Sequence, residues 1–201
     1  VERLWRMEQQ AAARLREDPG DAAALMTRAQ AHTLRNQPLQ AAYILEDLLA
    51  ADPEDVDVWV TLGFVKAKMN ALEPFFAAWP MPGVPSGTLP APIRLARTCV
   101  SAKEWDGALA CLEHAAARGL ERAPLLIAAE LAIEAREWGR AEGYLVQAST
   151  KTPEDPAPWL RLCDLAIAAK DTARARDCLG EAEARNASRA DIDKRRARLG
   201  Q

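Results

Sequence analysis

Apolar residues recur along this chain at spacings of three and four, which places them on one face of a helix. In the clearest segments a tryptophan is followed by leucine three residues later and then by a small residue. These segments are Trp59-x-x-Leu62-Gly63 and Trp159-x-x-Leu162-Cys163. An acidic residue shortly before each tryptophan favours a helix N-terminus. Because only 5% of the residues are aromatic and no strand pattern competes, the sequence predicts an all-α fold.

The helical segments belong to an internal repeat. Pro-x-Asp occurs at Pro19, Pro53 and Pro153, with a first gap of about 34 residues and a second of about three such periods. Two matching segments fill the second gap, since Trp-Asp-Gly-Ala at 105–108 corresponds to Trp-Gly-Arg-Ala at 138–141. Five units of helix, turn and helix are therefore in register.

This repeat resembles the tetratricopeptide repeat family, in which a helix–turn–helix unit carries W-x-x-L-G, a later Ala and a terminal Pro. The resemblance covers residues 20–187 and implies a right-handed α-solenoid of about five repeats. We expect the repeats at 19–52, 53–86, 87–119, 120–152 and 153–187. We also expect a helix at each end that covers the apolar end of the array, over 1–18 and 188–201. The first of these can also be the second helix of a truncated repeat.

The second repeat departs from the pattern near its carboxyl end. Proline inside a helix removes a backbone hydrogen bond and clashes with the preceding turn, so this helix must stop near Trp79. A proline-rich loop is predicted over 80–92 and includes Pro80, Pro82 and Pro85. Phe76 and Trp79 either fill the gap that the shortened helix leaves or form a lip that contacts a partner.

Four tryptophans fall at signature positions of the repeats, so they are predicted to pack in the core: Trp59, Trp105, Trp138 and Trp159. The four cysteines, Cys99, Cys111, Cys163 and Cys178, show no C-x-x-C spacing. Cysteine is small and apolar, so free buried thiols are predicted, with a disulfide inside one repeat as the alternative in an oxidising compartment.

Composition argues against several classes of function. The net charge of −3 provides no basic field for nucleic acid, and no apolar stretch reaches the ~20 residues that a membrane helix needs. His114 lies three residues from Cys111, but two ligands do not make a metal site. No phosphate-binding glycine loop or nucleophile elbow is present. We therefore expect no enzymatic activity, no cofactor and no bound metal.

The chain begins with Val1 and shows no intact signal peptide, so we expect a piece of a longer protein. Its compartment stays open between the cytoplasm and the periplasm, and it can be the soluble domain of a membrane-anchored protein.

The family resemblance implies that the first helix of each repeat lines a concave groove. By register, two rows of candidate partner-binding residues lie there. The first row is apolar and should face solvent: Met26, Val60, Ile93, Leu126 and Leu160. The second row is mostly polar: Gln30, Phe64, Arg97, Glu130 and Asp164. The first row has more apolar surface than a face in contact with solvent needs. We therefore expect that it either binds an apolar segment of a partner or is covered by neighbouring helices.

These observations predict a non-catalytic adaptor that binds a protein or peptide in this groove. The richness in Ala and Arg suits the soluble part of a bacterial envelope assembly, secretion or polysaccharide-export factor. The alternative is a structural module that forms homo-oligomers by burying its apolar rows against another copy.

Overall fold

A computed structural model describes residues 2–83 and 88–200, apart from the side chains of residues 3, 4 and 122. Helices make up 76% of the described residues, and that part of the chain contains no β-strand. The prediction of an all-α helical-repeat fold is confirmed. The chain divides into two compact units, Val1–Ala115 and Ala116–Gln201.

The described part of the first unit contains seven helices: α1 (Glu2–Glu17), α2 (Ala22–Leu34), α3 (Pro38–Ala51), α4 (Val56–Lys68), α5 (Leu72–Ala78), α6 (Ala91–Ser101) and α7 (Trp105–Ala116). The described part of the second contains five: α8 (Arg122–Glu134), α9 (Trp138–Lys151), α10 (Ala157–Ala168), α11 (Thr172–Ala184) and α12 (Arg189–Arg198). Helix α7 ends on the first residue of the second unit.

Acidic side chains start several of these helices, as their positions in the sequence predict. The Asp21 carboxylate accepts a hydrogen bond from the backbone N–H of Ala24 at 3.0 Å. The Asp55 carboxylate accepts from the N–H groups of Asp57 and Val58, both at 2.9 Å. Each bond satisfies a backbone donor that has no partner inside its helix.

Six turns share one backbone geometry. A residue with φ between 53° and 62° follows the helix, and the next backbone N–H donates to the carbonyl five residues earlier at 2.8–3.0 Å. This is the Schellman arrangement, which satisfies carbonyls at a helix end. Five of these turns lie between the two helices of a repeat, and the sixth separates α11 from α12. Their left-handed residues are Asn36, Asn70, Lys103, Arg136, Lys170 and Asn186.

Small residues allow the helices of the first unit to approach closely. Helix α2 packs against α1 and α3, and α4 packs against α3, α5 and α6. A Cβ atom added at Gly63 of α4 would lie 2.4 Å from Leu95 Cδ2 of α6. Such a contact shows that α4 and α6 approach at a position where only glycine fits.

The shortened helix α5 ends at Ala78, immediately before Trp79 and Pro80. No helix occurs in the described residues between α5 and α6, while Pro85 lies outside the described residues. Helix α6 begins at Ala91, so the predicted loop over 80–92 is too long at its carboxyl end. Pro92 belongs to the first turn of α6, where a missing N–H leaves no hydrogen bond unmade.

In the second unit, α9 packs against α8 and α10, and α11 packs against α10. Helix α12 lies against both α10 and α11 and buries Ile192 to 3% exposure. Ala141 and Ala175 are fully buried in the second helices of their pairs. Residues of this size let paired helices pack without large side chains between them.

The expectation of four buried tryptophans is wrong for two of them. Trp59 is fully buried in α4 and Trp159 is half-buried in α10, but Trp105 and Trp138 are 39% and 49% exposed. The physical reason is their place in the repeat. Trp105 and Trp138 are the first residues of α7 and α9, where a side chain has no preceding turn beneath it.

All four cysteines are free and buried. Burial raises the pKa of the Cys111 thiol well above its usual range, and the neighbouring Cys99 thiol acts in the same direction. Burial, with a smaller effect from the Asp164 carboxylate, raises the pKa of Cys163 to about 11. The Cys111 and Cys163 thiols are therefore protonated at neutral pH and serve as small apolar side chains.

Candidate functional site

In the first unit the predicted apolar row does not form a continuous exposed stripe. Met26 of α2 is half-buried, but Val60 of α4 is only 9% exposed and Ile93 of α6 is fully buried. The expectation that the row faces solvent is therefore wrong for Val60 and Ile93. The close approach of α4 and α6 at Gly63 covers the side chains between these two helices.

The polar row of the first unit is more accessible. Phe64 of α4 is half-buried, while Gln30 of α2 and Arg97 of α6 are exposed. Lys68 Nζ lies 5.6 Å from the centre of the Phe64 ring and 3.5 Å from Glu104 Oε1. Phe64 thus presents an apolar ring with a cation held near it.

Arg97 makes no hydrogen bond or ion pair with any residue that the structure describes. By contrast, Arg94, one turn earlier on α6, forms an ion pair with Asp57 of α4. An exposed and unpaired guanidinium, at the position of α6 that corresponds by register to Phe64 of α4, can bind a carboxylate of a partner in a bidentate geometry.

In the second unit the predicted polar row is already paired within the chain. Glu130 of α8 forms an ion pair with Arg161 of α10. Asp164 of α10 binds Arg195 of α12, with 2.6 Å between its Oδ2 atom and the arginine nitrogen, and also binds Arg198. Leu126 and Leu160 beside these carboxylates are half-buried.

The two ion pairs repeat one arrangement, because the acid and the arginine are 31 residues apart in both. Arg195 Nε also donates to the Leu160 carbonyl at 3.2 Å. Helix α12 therefore takes the place that the first helix of a further repeat would occupy. Because Glu130 and Asp164 are neutralised inside the chain, they are weaker candidates for orienting a partner than the sequence suggested.

Phe76 and Trp79 both lie beside the core of the first unit. The Phe76 ring stacks on the His114 ring of α7, with 3.8 Å between their centres, and lies 6.0 Å from the Trp59 ring. Trp59 Nε1 donates to the Trp79 carbonyl at 3.4 Å. These contacts favour the interpretation in which both residues fill the space left by the short helix.

Sequence reasoning missed an apolar surface on α2 and α3. Leu39 and Tyr43 of α3 are 69% and 70% exposed and line a cavity of about 580 Å³. Leu25 and Ile44 also contribute to it. A comparison of corresponding positions in the second helices of the repeats would have found it, because the other repeats have no large apolar residue at these two positions.

The described part of the chain contains no group of three or more His, Cys, Asp or Glu side chains arranged to hold a metal ion. None of the helices described is long and apolar enough to cross a membrane.

Comparison with known proteins finds a family match in the second unit. Residues 132–199 match the family model of the tetratricopeptide repeat. Among curated proteins none matches the chain.

Solved structures show a distant likeness. A tetratricopeptide repeat protein of Parabacteroides merdae is 14% identical over 100% of this chain and 79% of its own, with a TM-score of 0.44. The TPR2AB domain of yeast Sti1, solved in complex with HSP90, is 15% identical over 96% of this chain and 91% of its own, with a TM-score of 0.46. PilW, a type IV pilus biogenesis factor, is 15% identical over 92% of this chain and 86% of its own, with a TM-score of 0.48.

Proposed function

Because residues 132–199 match the family model of the tetratricopeptide repeat, we propose that the chain is a protein-binding scaffold without catalytic activity. Repeats of this kind present the faces of successive helices as an extended surface for another chain. The observation that carries the proposal is the face of α4 and α6 in the first unit. There the half-buried Phe64 ring lies in a row with the exposed, unpaired Arg97.

The chemistry of this face defines the segment that it would bind. An apolar side chain of the partner would contact Phe64 and Met26, and burial would supply roughly 25 cal/mol per Å². A carboxylate of the partner would pair with Arg97, while Gln30 can donate and accept hydrogen bonds. The proposed ligand is therefore an amphipathic protein segment that carries an acidic residue next to its apolar residues.

The second unit, taken by itself, would offer a partner mainly apolar contacts. Leu126 and Leu160 are half-buried, and the nearby carboxylates are held by arginines of the chain. A partner segment on this unit would gain affinity from burial and little from charge.

Two measurements test the proposal. A photo-crosslinking amino acid at Gln30 should capture a partner in cells, whereas the same amino acid at exposed Ala77 of α5 should not. With the captured protein purified, Arg97→Glu should weaken binding by about tenfold or more in calorimetry, since a charge-assisted hydrogen bond is lost and like charges meet.

Arg16→Glu on the exposed face of α1 is the matched control, because it makes the same change from arginine to glutamate on a helix of the first unit that does not belong to this face. Equal weakening by the two variants, or equal crosslinking at Gln30 and Ala77, would contradict a specific site on α4 and α6.

Composition extends the proposal to the setting of the scaffold. The richness in Ala and Arg supports the soluble part of a bacterial envelope assembly, secretion or polysaccharide-export factor. Identification of the crosslinked partner tests this extension, and a partner outside such an assembly would contradict it. Self-association through the apolar rows is the weaker alternative, since Val60 and Ile93 are already buried in the first unit.

A further inference from the structure

Helix α12 is attached to the second unit by fewer buried side chains than the helices it contacts. Of its residues, all of which the structure describes, Ile192 alone is buried, at 3% exposure. By contrast, α10 and α11 each bury four residues. Because burial of apolar surface is the main attraction between packed helices, α12 is held less firmly by it than either neighbour.

Ionic contacts supply most of the remaining attachment. Arginines of α12 bind both carboxylate oxygens of Asp164 on α10. Oδ2 lies 2.6 Å from Arg195 Nη2, and Oδ1 lies 2.6 Å from Arg198 Nη1. Arg196 forms an ion pair with Glu183 of α11. Contacts of this kind weaken when salt screens the charges, and another cation can replace the arginines at the same carboxylates.

Helix α12 also has stabilising contacts of its own. Ser188 Oγ accepts a hydrogen bond from the backbone N–H of Asp191 at 3.1 Å and so caps the helix. Ion pairs between residues four apart join Arg189 to Asp193 and Asp191 to Arg195, both at 3.7 Å. None of these contacts involves α10 or α11, so they remain when α12 separates from the rest of the unit.

The surface that α12 covers has a defined chemistry. We call this surface the α12 site; it comprises Asp164 of α10, Glu183 of α11 and the place where Ile192 is buried between these helices. Ile192, Arg195 and Arg198 follow one another at spacings of three residues, so each is the neighbour of the next on the surface of α12. A helix with an apolar residue and two basic residues at these spacings would make the same contacts.

From these features we propose that α12 is a displaceable cap and that the α12 site binds a basic amphipathic helix of another protein. The partner's apolar residue takes the place of Ile192, and its basic residues bind Asp164. The site shares no residue with the face of α4 and α6 proposed above to bind a protein segment, so either proposal can fail alone.

The attachment of α12 to the chain sets the affinity that a partner needs. A segment joined by a short linker has an effective concentration in the millimolar range at its own site. A partner must therefore bind the α12 site more tightly than α12 does in itself. A helix that buries several apolar residues there meets this condition, because α12 buries Ile192 alone.

Hydrogen exchange of the whole chain, followed residue by residue by NMR, measures the opening of α12. The amides of α12 should exchange faster than those of α10, and faster still at higher salt. Asp164→Asn should raise the exchange rate of α12 by about tenfold or more, since two arginines lose a charged acceptor. Glu142→Gln is the matched control, because it neutralises a carboxylate of α9 that pairs with Arg174, and it should leave α12 unchanged.

A fluorescent peptide with the sequence of residues 187–200 is the probe for the α12 site, because it carries the face of α12 that binds there. Fluorescence anisotropy should show about tenfold tighter binding to Ile192→Asn, whose own α12 is released, than to the unmodified chain. Addition of Asp164→Asn to that variant should abolish the gain, whereas addition of Glu142→Gln should preserve it. Circular dichroism confirms that each variant is folded.

Three results would overturn the proposal. The first is exchange of α12 that is insensitive to salt and to Asp164→Asn, and the second is equal binding of the peptide to the unmodified chain and to Ile192→Asn. The third is a concentration-dependent dimer of the unmodified chain in sedimentation that Ile192→Asn dissociates, because the α12 helix of a second copy would then be the occupant.

Discussion

The helix pairs α4–α5 and α10–α11 form the same kind of repeat, but different side chains pack between their helices. In the first unit a second helix of seven residues packs with aromatic rings, and the Trp59 and Phe75 rings lie 4.8 Å apart. In the second unit a second helix of 13 residues packs against α10 and buries Cys178 and Leu179, and α10 buries Cys163. Aromatic bulk thus compensates for a short helix, whereas small residues suffice where the helix is long enough to supply contact along its length.

The largest expected effect comes from removing that bulk. Trp59→Ala should lower the free energy of unfolding by about 3–5 kcal/mol, because a fully buried ring is lost next to Phe75 and Phe76. Urea denaturation measures the change. Trp138→Ala is the control, since that ring is 49% exposed, and its cost should stay below about 1 kcal/mol. Equal costs would mean that the aromatic cluster does not hold α5 in place.

Adding a methyl group at a glycine should change the free energy of unfolding in opposite directions in the two helix pairs. Gly63→Ala places a Cβ against Leu95, a fully buried side chain with little room to move, and should destabilise by about 1–3 kcal/mol. Gly180→Ala meets nothing within 4 Å on the exposed face of α11 and should stabilise by about 0.5–1 kcal/mol through helix propensity. Thermal or urea unfolding compares them, and effects of the same sign would refute the difference in packing.

The smallest effect concerns the thiol of the second pair. The pKa of Cys163 is raised from 9.0 to about 11, so the folded state holds this proton more tightly than the unfolded state. Its contribution to stability is complete below pH 9 and is lost as the pH rises through 11. Cys163→Ala, which introduces the residue found at this position in α2, α6 and α8, should therefore lose less stability over that range. Denaturation curves at pH 8 to 11 test this, and parallel slopes would contradict it.

Helical periodicity and the 33–34-residue repeat were enough to predict the helical pairs, because both depend on local sequence. Trp59 and Trp105 show the limit of that reasoning. Both occupy signature positions of the repeat. Trp59, however, lies inside helix α4, whereas Trp105 is the first residue of α7. Their burial depends on which neighbours cover them, and a one-dimensional pattern does not contain that information.

The candidate site was predicted less completely than the fold. The register placed Phe64 and Arg97 on an accessible face, as the structure also does. The register could not show that Ile93 would be covered, because this depends on the approach of α4 to α6. It also could not show that Asp164 would be engaged by Arg195, since that pairing depends on where α12 packs. The exposed Leu39 and Tyr43 were open to prediction, but only by comparing second helices with each other.

The six Schellman turns have a consequence for how the chain acquires its structure. Each turn completes its hydrogen bonds within a few residues, so a helical hairpin needs no distant segment to close. Contacts between residues close in sequence form fast, because little loop entropy is lost before they are made. Folding can therefore start at any hairpin and spread to its neighbours. During synthesis, α2 and α3 can pair on emergence, before the ribosome has reached the codons for α10.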